Sequence, residues 1–353
     1  MIREGIAKLI DGANLTSNEA QGVMREVMSG NATNSQIGAF LAALRMKGET
    51  VEELIAFAAV MREHCRRINP QVQGRLVDTC GTGGDKIKTF NISTTAAFVV
   101  AGAGVAIAKH GNRSVTSKSG SADVLERLGL NLKMEPETVQ ATIEKVGVGF
   151  MFAPAFHPAM KYAIQTRREI GIRTVFNVLG PLTNPASANA QLLGVYDKQL
   201  TAPLAYALEK LVCEEGMVVH GLDGLDEIST IGKTAVAWLK EGEVATMEVA
   251  PRDFGVKQAR IADIRGTTPD ESAEILFQIL NGKCSPDDPK TEIVLVNSAA
   301  GIIVGGKATE FSGGMELARE SIESGAAFKK LKALIKASGG NLLKLEELES
   351  KHG

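Results

Sequence analysis

A glycine-rich stretch, VDTCGTGGDKIKTFNIST at 77–94, combines bare backbone with small polar side chains. Three glycines fall within GTGGD, at 81–85. Backbone N–H groups in such a loop can converge on an anion, and the N-terminus of a following helix adds positive potential. The spacing is neither GxGxxG nor a phosphate loop that ends in Gly-Lys-Ser/Thr. From this loop alone, an anion site and a plain tight turn both stay open.

Three short polar side chains follow at the expected start of the next helix: Asn91, Ser93 and Thr94. Ser93 or Thr94 is a natural N-cap, which alone would explain a hydroxyl group at that place. A cap and a phosphate contact use the same helix end, so the two roles are compatible. The hydroxyl groups therefore favour the anion site over a plain turn.

A second polar cluster, KHGNRSVTSKSGSADVLE at 109–126, follows the predicted strand VAIA. Ligands of open α/β sheets bind at that carboxyl edge of the strands. Lys109, Arg113 and Lys118 stand among glycines and hydroxyl residues, which favours an oxyanion site over a solvated charged face. His110 alone carries little weight, because many histidines beside a lysine are merely exposed.

Two further groups of charged residues follow predicted elements. Asp223, Asp226 and Glu227 come after the strand MVVHG, and adjacent carboxylates near bound phosphates commonly hold Mg²⁺. An acidic surface loop is the alternative explanation. Arg167 and Arg168 lie on the predicted helix HPAMKYAIQTRREIG, where one can face solvent while the other pairs with a carboxylate.

The elements that must position these residues fall into two groups. Up to Pro70 the apolar spacing predicts only helices, and Thr16 with Glu19 and Thr50 with Glu53 match capping boxes. Beyond Pro70, short apolar strands alternate with longer helices, which predicts a mostly parallel sheet with helices on both faces. The run TAVAWLKEGEVATMEVAP predicts a hairpin added to this sheet, and a charged helical tail follows.

Composition narrows the class of protein. The 353 residues exceed one ordinary core and predict two domains. A net charge of −2 and 5% aromatic residues disfavour nucleic-acid binding. The four cysteines form no CxxC pair or metal spacing, which is typical of free thiols in a reducing cytosol. With no signal-peptide pattern and no apolar run of membrane-spanning length, we expect a cytoplasmic protein without a membrane partner.

Taken together, the motifs resemble those of the anthranilate phosphoribosyltransferases. The resemblance runs along nearly the whole chain, through GTGGD at 81–85, TFNIST at 89–94, KHGNRSVTSKSGSADVLE at 109–126, HPAMKYAIQTRREIGIRTVFNVLGPLTNP at 157–185 and GLDE at 224–227. One departure is DKIK at 85–88, where many members have a less basic link. That difference would change the charge beside bound phosphates.

The resemblance implies a fold and an assembly. The fold would be α/β, with a small all-helical domain and a large α/β domain around a mostly parallel central sheet, of the nucleoside phosphorylase/phosphoribosyltransferase type. The active site would lie in the cleft between the domains. The small domain would comprise 1–72 with 174–189 crossing back, and the large domain 73–173 and 190–353. Members are usually homodimers joined through the small domains, which is our expectation here.

The resemblance also implies an activity and its site residues. The enzyme would transfer the 5-phosphoribosyl group from phosphoribosyl pyrophosphate to the amino group of anthranilate, the second step of tryptophan biosynthesis from chorismate, with Mg²⁺ as cofactor. The metal ligands would be Ser93, Asp226 and Glu227, and the anthranilate contacts Gly81, Asn112 and Arg167. The contacts to phosphoribosyl pyrophosphate would be Gly81, Gly84, Asp85, Thr89, Asn91, Ile92, Ser93, Thr94, Lys109, His110, Gly111, Asn112, Arg113, Ser114, Val115, Thr116, Ser117 and Ser121.

On this expectation, catalysis is mainly positioning and electrostatics. An aromatic amine is neutral at pH 7 and needs no strong base before it attacks C1 of the ribose. The leaving pyrophosphate gathers negative charge, which Mg²⁺, backbone N–H groups and Lys109 can stabilise. No residue is assigned as a general acid or base, and Lys109 and Arg167 would act by charge and position.

Two alternatives stay open. A pyrimidine-nucleoside phosphorylase shares the fold and a segment similar to 109–126, but it has a different glycine-loop signature and lacks the combination of TFNIST with GLDE. A non-enzymatic relative that binds nucleic acid or polyphosphate should have lost the acidic pair or gained positive charge. Asp226 and Glu227 are both present, and the net charge is −2.

Overall fold

A computed structural model describes residues 1–84, 87–114, 119–266, 268–285 and 287–352. The chain opens with four helices: α1 (Ile2–Ile10), α2 (Ser17–Met28), α3 (Asn34–Lys47) and α4 (Val51–Glu63). The two predicted capping boxes, at Thr16 and Thr50, are confirmed, and a third, which was not predicted, pairs Thr33 with Gln36. In each box the side chains satisfy N–H groups that the first helical turn leaves unpaired.

The described residues form one seven-stranded sheet. Its strands are β1 (Leu76–Gly81), β2 (Ala106–Gly111), β3 (Val148–Phe152), β4 (Ala190–Gly194), β5 (Glu215–Gly221), β6 (Thr234–Lys240) and β7 (Glu243–Val249). The order across the sheet is β3-β2-β1-β4-β5-β6-β7, with β1 to β5 parallel and β6 and β7 antiparallel. The predicted mostly parallel sheet and its added hairpin are therefore confirmed.

The order of the strands reverses at β1. The chain places β2 and β3 on one side of β1 and then adds β4 and β5 on the other side. Parallel sheets bind ligands outside the carboxyl ends of the strands where such a reversal occurs. The glycine-rich loop follows β1 and therefore lies at this place.

Twelve further helices cover the sheet and extend the bundle: α5 (Ile92–Gly102), α6 (Ser121–Arg127), α7 (Pro136–Val146), α8 (Ala153–Phe156), α9 (Lys161–Ile170), α10 (Phe176–Leu182), α11 (Thr201–Lys210), α12 (Pro269–Leu280), α13 (Pro289–Val304), α14 (Phe311–Glu323), α15 (Ala326–Ala337) and α16 (Leu343–His352). The predicted helical tail divides into α14 and α15 at Gly325, whose φ is 70°. Among the described residues, no helix has the length and apolar character needed to span a membrane.

The two faces of the sheet bury different cores. Along β4 and β5, Leu192, Met217 and Val219 belong to one core, while Leu193 and Val218 belong to the other. This division follows the two-residue period of a strand. The first core contains α5 and α13, and the second is continuous with the N-terminal helices and α11.

The segment after β3 returns to the N-terminal bundle. Helix α9 packs against α2 and α3, and α10 packs against α4. Val175, Phe176 and Leu179 join the core that Phe40 and Phe57 occupy. The predicted domain boundaries stay a prediction, and they assign α9 to the large domain although it packs on the bundle.

One carboxylate joins three parts of the bundle. Glu53 is fully buried, and it accepts hydrogen bonds from Leu15 N at 2.8 Å, Thr50 N at 2.9 Å and Lys47 Nζ at 2.8 Å. The Lys47 side chain is only 6% exposed. Removing one member of such a pair leaves the other charge buried without compensation.

We expect Glu53→Gln to lower the free energy of unfolding by about 3 kcal/mol, because Lys47 then loses its buried counter-charge. Urea denaturation followed by circular dichroism measures this change. Glu52→Gln is the control, since Glu52 is the exposed neighbour in the same helical turn. Equal stability of the two variants would refute the role given to Glu53.

Candidate active site

The glycine-rich loop after β1 and the acidic pair after β5 lie against each other. Gly83 N donates to Asp226 Oδ2 at 2.9 Å, and Asp226 is 9% exposed. A Cβ on Gly81 would lie 2.6 Å from the same Oδ2 atom, and one on Gly194 would lie 1.6 Å from the backbone oxygen of Asp226. Glycine is therefore required at the carboxyl ends of β1 and β4 because Asp226 approaches both so closely.

Glu227 lies at the N-terminus of α5. Ser93 N donates to Glu227 Oε1 at 3.1 Å, so a carboxylate from another strand end satisfies an N–H group of the first turn. The helix begins at Ile92, with Asn91 at the N-cap and without a side-chain capping bond. The prediction that Ser93 or Thr94 is the N-cap is therefore wrong, because the chain enters helical geometry before both residues.

The Asn91 side chain points to the second polar cluster instead. Ser119 Oγ donates to Asn91 Oδ1 at 2.9 Å, and Asn91 Nδ2 donates to the backbone oxygen of Ser119 at 3.4 Å. This pair of bonds joins the start of α5 to the segment after β2. The structure thus brings the first and second predicted clusters together.

Lys109 lies on β2 and is almost fully buried. It is 4% exposed, and its Nζ donates to the backbone oxygen of Thr79 on β1. Burial lowers the pKa of Lys109, while the carboxylates of Asp78 and Glu227 oppose this shift by attraction. Lys109 therefore places its side-chain amino group between the carboxyl ends of β1 and β2.

Asp78 connects the sheet to the crossing segment. It is fully buried, and its carboxylate accepts from His110 N at 3.2 Å and from Asn184 Nδ2 at 2.8 Å. Burial raises the pKa of Asp78 to about 6, and the charge of Lys109 opposes this shift. Asn184 also donates to the backbone oxygen of Ala108 at 2.9 Å, so one side chain holds both β1 and β2.

Two histidine rings lie beside this network. The ring centroids of His110 and His157 are 5.0 Å apart, and both Nε2 atoms are buried without a hydrogen-bond partner among the described residues. Burial lowers the pKa of His110 to about 3 and that of His157 to about 4. Both rings are therefore neutral at pH 7, and His110 brings no positive charge to the site.

Arg113 is already paired. Its guanidinium donates to Asp123 at 2.9 Å and to both carboxylate oxygens of Glu126 at 2.8 Å, which raises the pKa of Arg113. A phosphate contact from Arg113 stays a prediction, and it would require the guanidinium to exchange these partners. Nearby, Ser121 Oγ donates to the backbone oxygen of Asn112 at 3.4 Å.

Arg167 is different, because no carboxylate of the described residues pairs with it. Its guanidinium lies 5.2 Å from the ring centroid of Phe176 and makes no hydrogen bond or ion pair with another described residue, and burial lowers the pKa of Arg167. Arg168 is exposed. A partly buried guanidinium without a counter-charge is suited to bind a carboxylate ligand in two-pronged geometry.

The remaining predicted contacts differ in how they are placed. Ile92 and Thr94 are each only 1% exposed, and their contacts to the substrate stay predictions. Thr89 forms an isolated bridge with Arg265, and a Cβ on Gly111 would lie 2.2 Å from Ser121 Oγ. The predicted contacts that lie outside the described residues are Asp85, Val115, Thr116 and Ser117.

Two residues that support the glycine-rich loop were missed by sequence reasoning. Arg173 donates to the backbone oxygen of Gly84 and lies 4.4 Å from the ring centroid of Tyr196. Tyr196 N in turn donates to Thr82 Oγ1 at 3.1 Å. No local pattern marks these residues, because their partners lie about one hundred positions away along the chain.

The acidic pair fits a magnesium ion that is completed by a ligand. Among the described residues, no group of three or more His, Cys, Asp and Glu side chains could hold a metal. Asp226, Glu227 and the neighbouring Ser93 offer only oxygen atoms, which are the donors that Mg²⁺ prefers. Mg²⁺ usually keeps water and substrate phosphate oxygens as its other ligands, so an incomplete protein set is what such a site requires.

Comparisons with known proteins agree with this geometry. A family model described as the α/β domain of a glycosyl transferase family matches residues 73–328, and one for that family's helical bundle domain matches 3–65. The chain is 52% identical over 340 residues to the anthranilate phosphoribosyltransferase of Methanocorpusculum labreanum, covering 96% of this chain and 99% of that protein.

Solved structures agree as well. The anthranilate phosphoribosyltransferase of Thermus thermophilus superposes with a TM-score of 0.89 at 40% identity, covering 95% of this chain and 99% of that one. The Saccharomyces cerevisiae enzyme in complex with PRPP and Mg gives 0.87 at 31% identity, over 96% and 98% of the two chains. Its complex with 4-fluoroanthranilate gives 0.86 at 30% identity over the same shares. The predicted resemblance and fold class are confirmed.

We expect Gly194→Ala to lower the free energy of unfolding by about 3 kcal/mol, because the new Cβ would displace the backbone of Asp226. Guanidinium-induced unfolding, followed by the fluorescence of the single tryptophan, Trp238, measures the change. Gly180→Ala in α10 is the control, since a Cβ there meets no atom within 4 Å. A Gly194→Ala variant as stable as the wild type would contradict the close approach.

Proposed function

Since the chain belongs to the anthranilate phosphoribosyltransferases of this glycosyl transferase family, we propose that its site joins anthranilate to the ribose of phosphoribosyl pyrophosphate. The reaction gives N-(5-phosphoribosyl)anthranilate and pyrophosphate, and it is the second step of tryptophan biosynthesis from chorismate. The observation that carries the proposal is the contact of the acidic pair with both the glycine-rich loop and the N-terminus of α5.

The sheet edge suits the phosphates of the activated sugar. Backbone N–H groups of the loop and of α5 favour negative charge, and Lys109 adds a buried cation between β1 and β2. Asp226, Glu227 and Ser93 would hold Mg²⁺, which when bound supplies positive charge to the pyrophosphate. The yeast relative, solved with PRPP and Mg, supports this cofactor.

The other substrate is an aromatic carboxylate. Arg167 is partly buried, its guanidinium makes no hydrogen bond or ion pair with another described residue, and it suits a carboxylate in two-pronged geometry. Asn112 and Gly81 are the further anthranilate contacts that we propose. The yeast relative in complex with 4-fluoroanthranilate supports this class of ligand.

The chemistry needs position and charge rather than a strong base. The amino nitrogen forms a bond to C1 while the bond from C1 to the pyrophosphate oxygen breaks, and the nitrogen then releases one proton. His110 and His157 are neutral at pH 7, so neither ring contributes positive charge to the binding of the phosphates. Lys109 stabilises the charge that develops on the leaving group.

We also propose the division into domains and the assembly. The small domain comprises 1–72 with 174–189, and the packing of α10 against α4 supports this crossing. The packing of α9 against α2 and α3 argues for adding α9 to it. The large domain comprises the remaining residues. We further propose a homodimer joined through the small domains, in the cytoplasm.

A direct assay tests the function. Purified protein is mixed with anthranilate, phosphoribosyl pyrophosphate and Mg²⁺, and the loss of anthranilate fluorescence is followed. We expect a loss that stops when EDTA removes the metal, since the pyrophosphate then lacks its counter-charge. No loss, together with phosphate-dependent cleavage of thymidine or uridine, would identify the alternative, a pyrimidine-nucleoside phosphorylase. Inactivity in both assays would leave the non-enzymatic alternative.

We expect Arg167→Gln to raise the KM for anthranilate roughly 10- to 100-fold, because a charge-assisted bond to the carboxylate is lost. The KM for phosphoribosyl pyrophosphate should stay unchanged. Arg168→Gln is the matched control, since Arg168 is the exposed neighbour on the same helix. Steady-state kinetics with each substrate varied in turn measures both constants. Equal effects of the two substitutions would exclude Arg167 from the anthranilate site.

A further inference from the structure

Behind the acidic pair lies a buried polar side chain that the proposed chemistry does not use. Asn297 is at the middle of α13 and is fully buried, with Val294, Val296, Ala299 and Ala300 among its buried neighbours in sequence. A polar group in such surroundings destabilises the fold unless it is hydrogen-bonded. The bonds that Asn297 makes therefore indicate what it is for.

Asn297 holds one backbone residue by both of its polar groups. Ile228 N donates to Asn297 Oδ1 at 2.9 Å, and Asn297 Nδ2 donates to the backbone oxygen of Ile228 at 2.9 Å. The second Nδ2 hydrogen goes to the backbone oxygen of Ile293 at 2.8 Å, within the same helix. Only one orientation of the amide satisfies these partners, since a flip would place donors against donors.

Ile228 directly follows the acidic pair. On the other side of the pair, Leu225 O accepts from Gly221 N at 2.9 Å, and Leu225 N donates to Asp223 Oδ1 at 3.2 Å. The backbone is therefore held immediately before Asp226 and immediately after Glu227. With both ends held, the two carboxylates reach Gly83 N and Ser93 N from a backbone of defined position.

The same helix also supports the opposite wall of the site. Helix α13 packs against α5 and β1, and a Cβ on Gly301 would lie 2.8 Å from Val100 Cγ2 of α5. Ser93 belongs to α5, and the glycine-rich loop begins at the end of β1. Helix α13 is thus a common support for the acidic pair, for α5, which carries Ser93, and for β1, which leads into the glycine-rich loop.

We propose that Asn297 is a positioning residue, which sets the distance between the Asp226–Glu227 carboxylates and Ser93 and so determines how tightly the divalent cation and the phosphates bind. This inference rests on the proposed function, from which it takes phosphoribosyl pyrophosphate as the substrate. It assigns no chemical step to Asn297, which touches neither the cation nor the substrate. Groups that orient metal ligands in this way commonly change metal affinity 10- to 100-fold when they are removed.

The test compares Asn297→Ala with the wild type and with Ser298→Ala. Ser298 is the next residue of α13, it is also fully buried, and its hydroxyl has no hydrogen-bond partner among the described residues. Removing that hydroxyl therefore controls for a change in the buried face of α13. Asn297→Ser, which keeps one hydrogen-bonding group, is measured with the same methods. If Asn297→Ala does not fold, the comparison of Asn297→Ser with the wild type tests the proposal.

Two readouts separate positioning from stability. The first is the Kd of Mn²⁺ in the presence of phosphoribosyl pyrophosphate, from the electron paramagnetic resonance of free Mn²⁺. The second is the pair of KM values in the fluorescence assay. We expect Asn297→Ala to raise the Mn²⁺ Kd and the KM for phosphoribosyl pyrophosphate roughly 10-fold or more, while the KM for anthranilate stays unchanged. Asn297→Ser should fall between, and Ser298→Ala should match the wild type.

A lower melting temperature with unchanged Mn²⁺ Kd and KM values would overturn the proposal and leave Asn297 a purely structural residue. Equal shifts in Asn297→Ala and Ser298→Ala would overturn it too, because the effect would then be general to the face of α13. Failure of the proposed function is a separate result: the wild type would consume no anthranilate, while the Mn²⁺ titrations would still compare the variants.

Discussion

The approach of Asp226 to two glycines is the constraint on which the site depends. Its carboxylate accepts from Gly83 N, and its own backbone passes where a Cβ on Gly194 would be 1.6 Å away. Three strand ends can converge this closely only because side chains are absent at Gly81 and Gly194. The loop, the carboxylate and the start of α5 then occupy one small volume at the point where the strand order reverses.

Charge in that volume is arranged as opposed pairs. The carboxylate of Glu227 accepts a hydrogen bond from Ser93 N, an N–H group that would otherwise be open to an anionic ligand. Lys109 is buried on the other side of β1. A site for pyrophosphate must attract negative charge without being a bare positive pocket, since a divalent cation has to bind as well. The neutral state of His110 and His157 fits this balance, because it limits the positive charge that belongs to the protein itself.

Sequence patterns predict the elements well and the long-range contacts poorly. Apolar spacing and capping boxes depend on residues three or four positions apart, so the helices around Thr16 and Thr50 and the strands of the sheet follow from the chain itself. The N-cap of α5 was predicted wrongly because helical geometry begins at Ile92, before Ser93 and Thr94. The Asn91 side chain does not cap the helix, since it is bonded to Ser119, 28 residues further on. The sequence motifs predicted site residues that lie at the ends of strands or at the beginnings of helices.

The supporting residues escape such reasoning for a physical reason. Arg173 and Asn297 act on Gly84 and Ile228, which are 89 and 69 residues distant. Nothing near an asparagine within an apolar helix indicates which backbone group it will bind. Helix α10 was also not predicted, since it holds Pro181 and is only seven residues long. Such features depend on the tertiary fold, where packing overrides local preference.

The place of α13 in the chain has a consequence for synthesis on the ribosome. Protein chains emerge from the N-terminus, and domains generally begin to fold as they appear. Helices α2, α3 and α4 can form their capped turns early, whereas the strand ends at residues 81, 194 and 221 must wait for a helix that begins at Pro289. The nascent chain therefore carries the ends of β1, β4 and β5 without their supporting helix until Pro289 and the residues after it have been made.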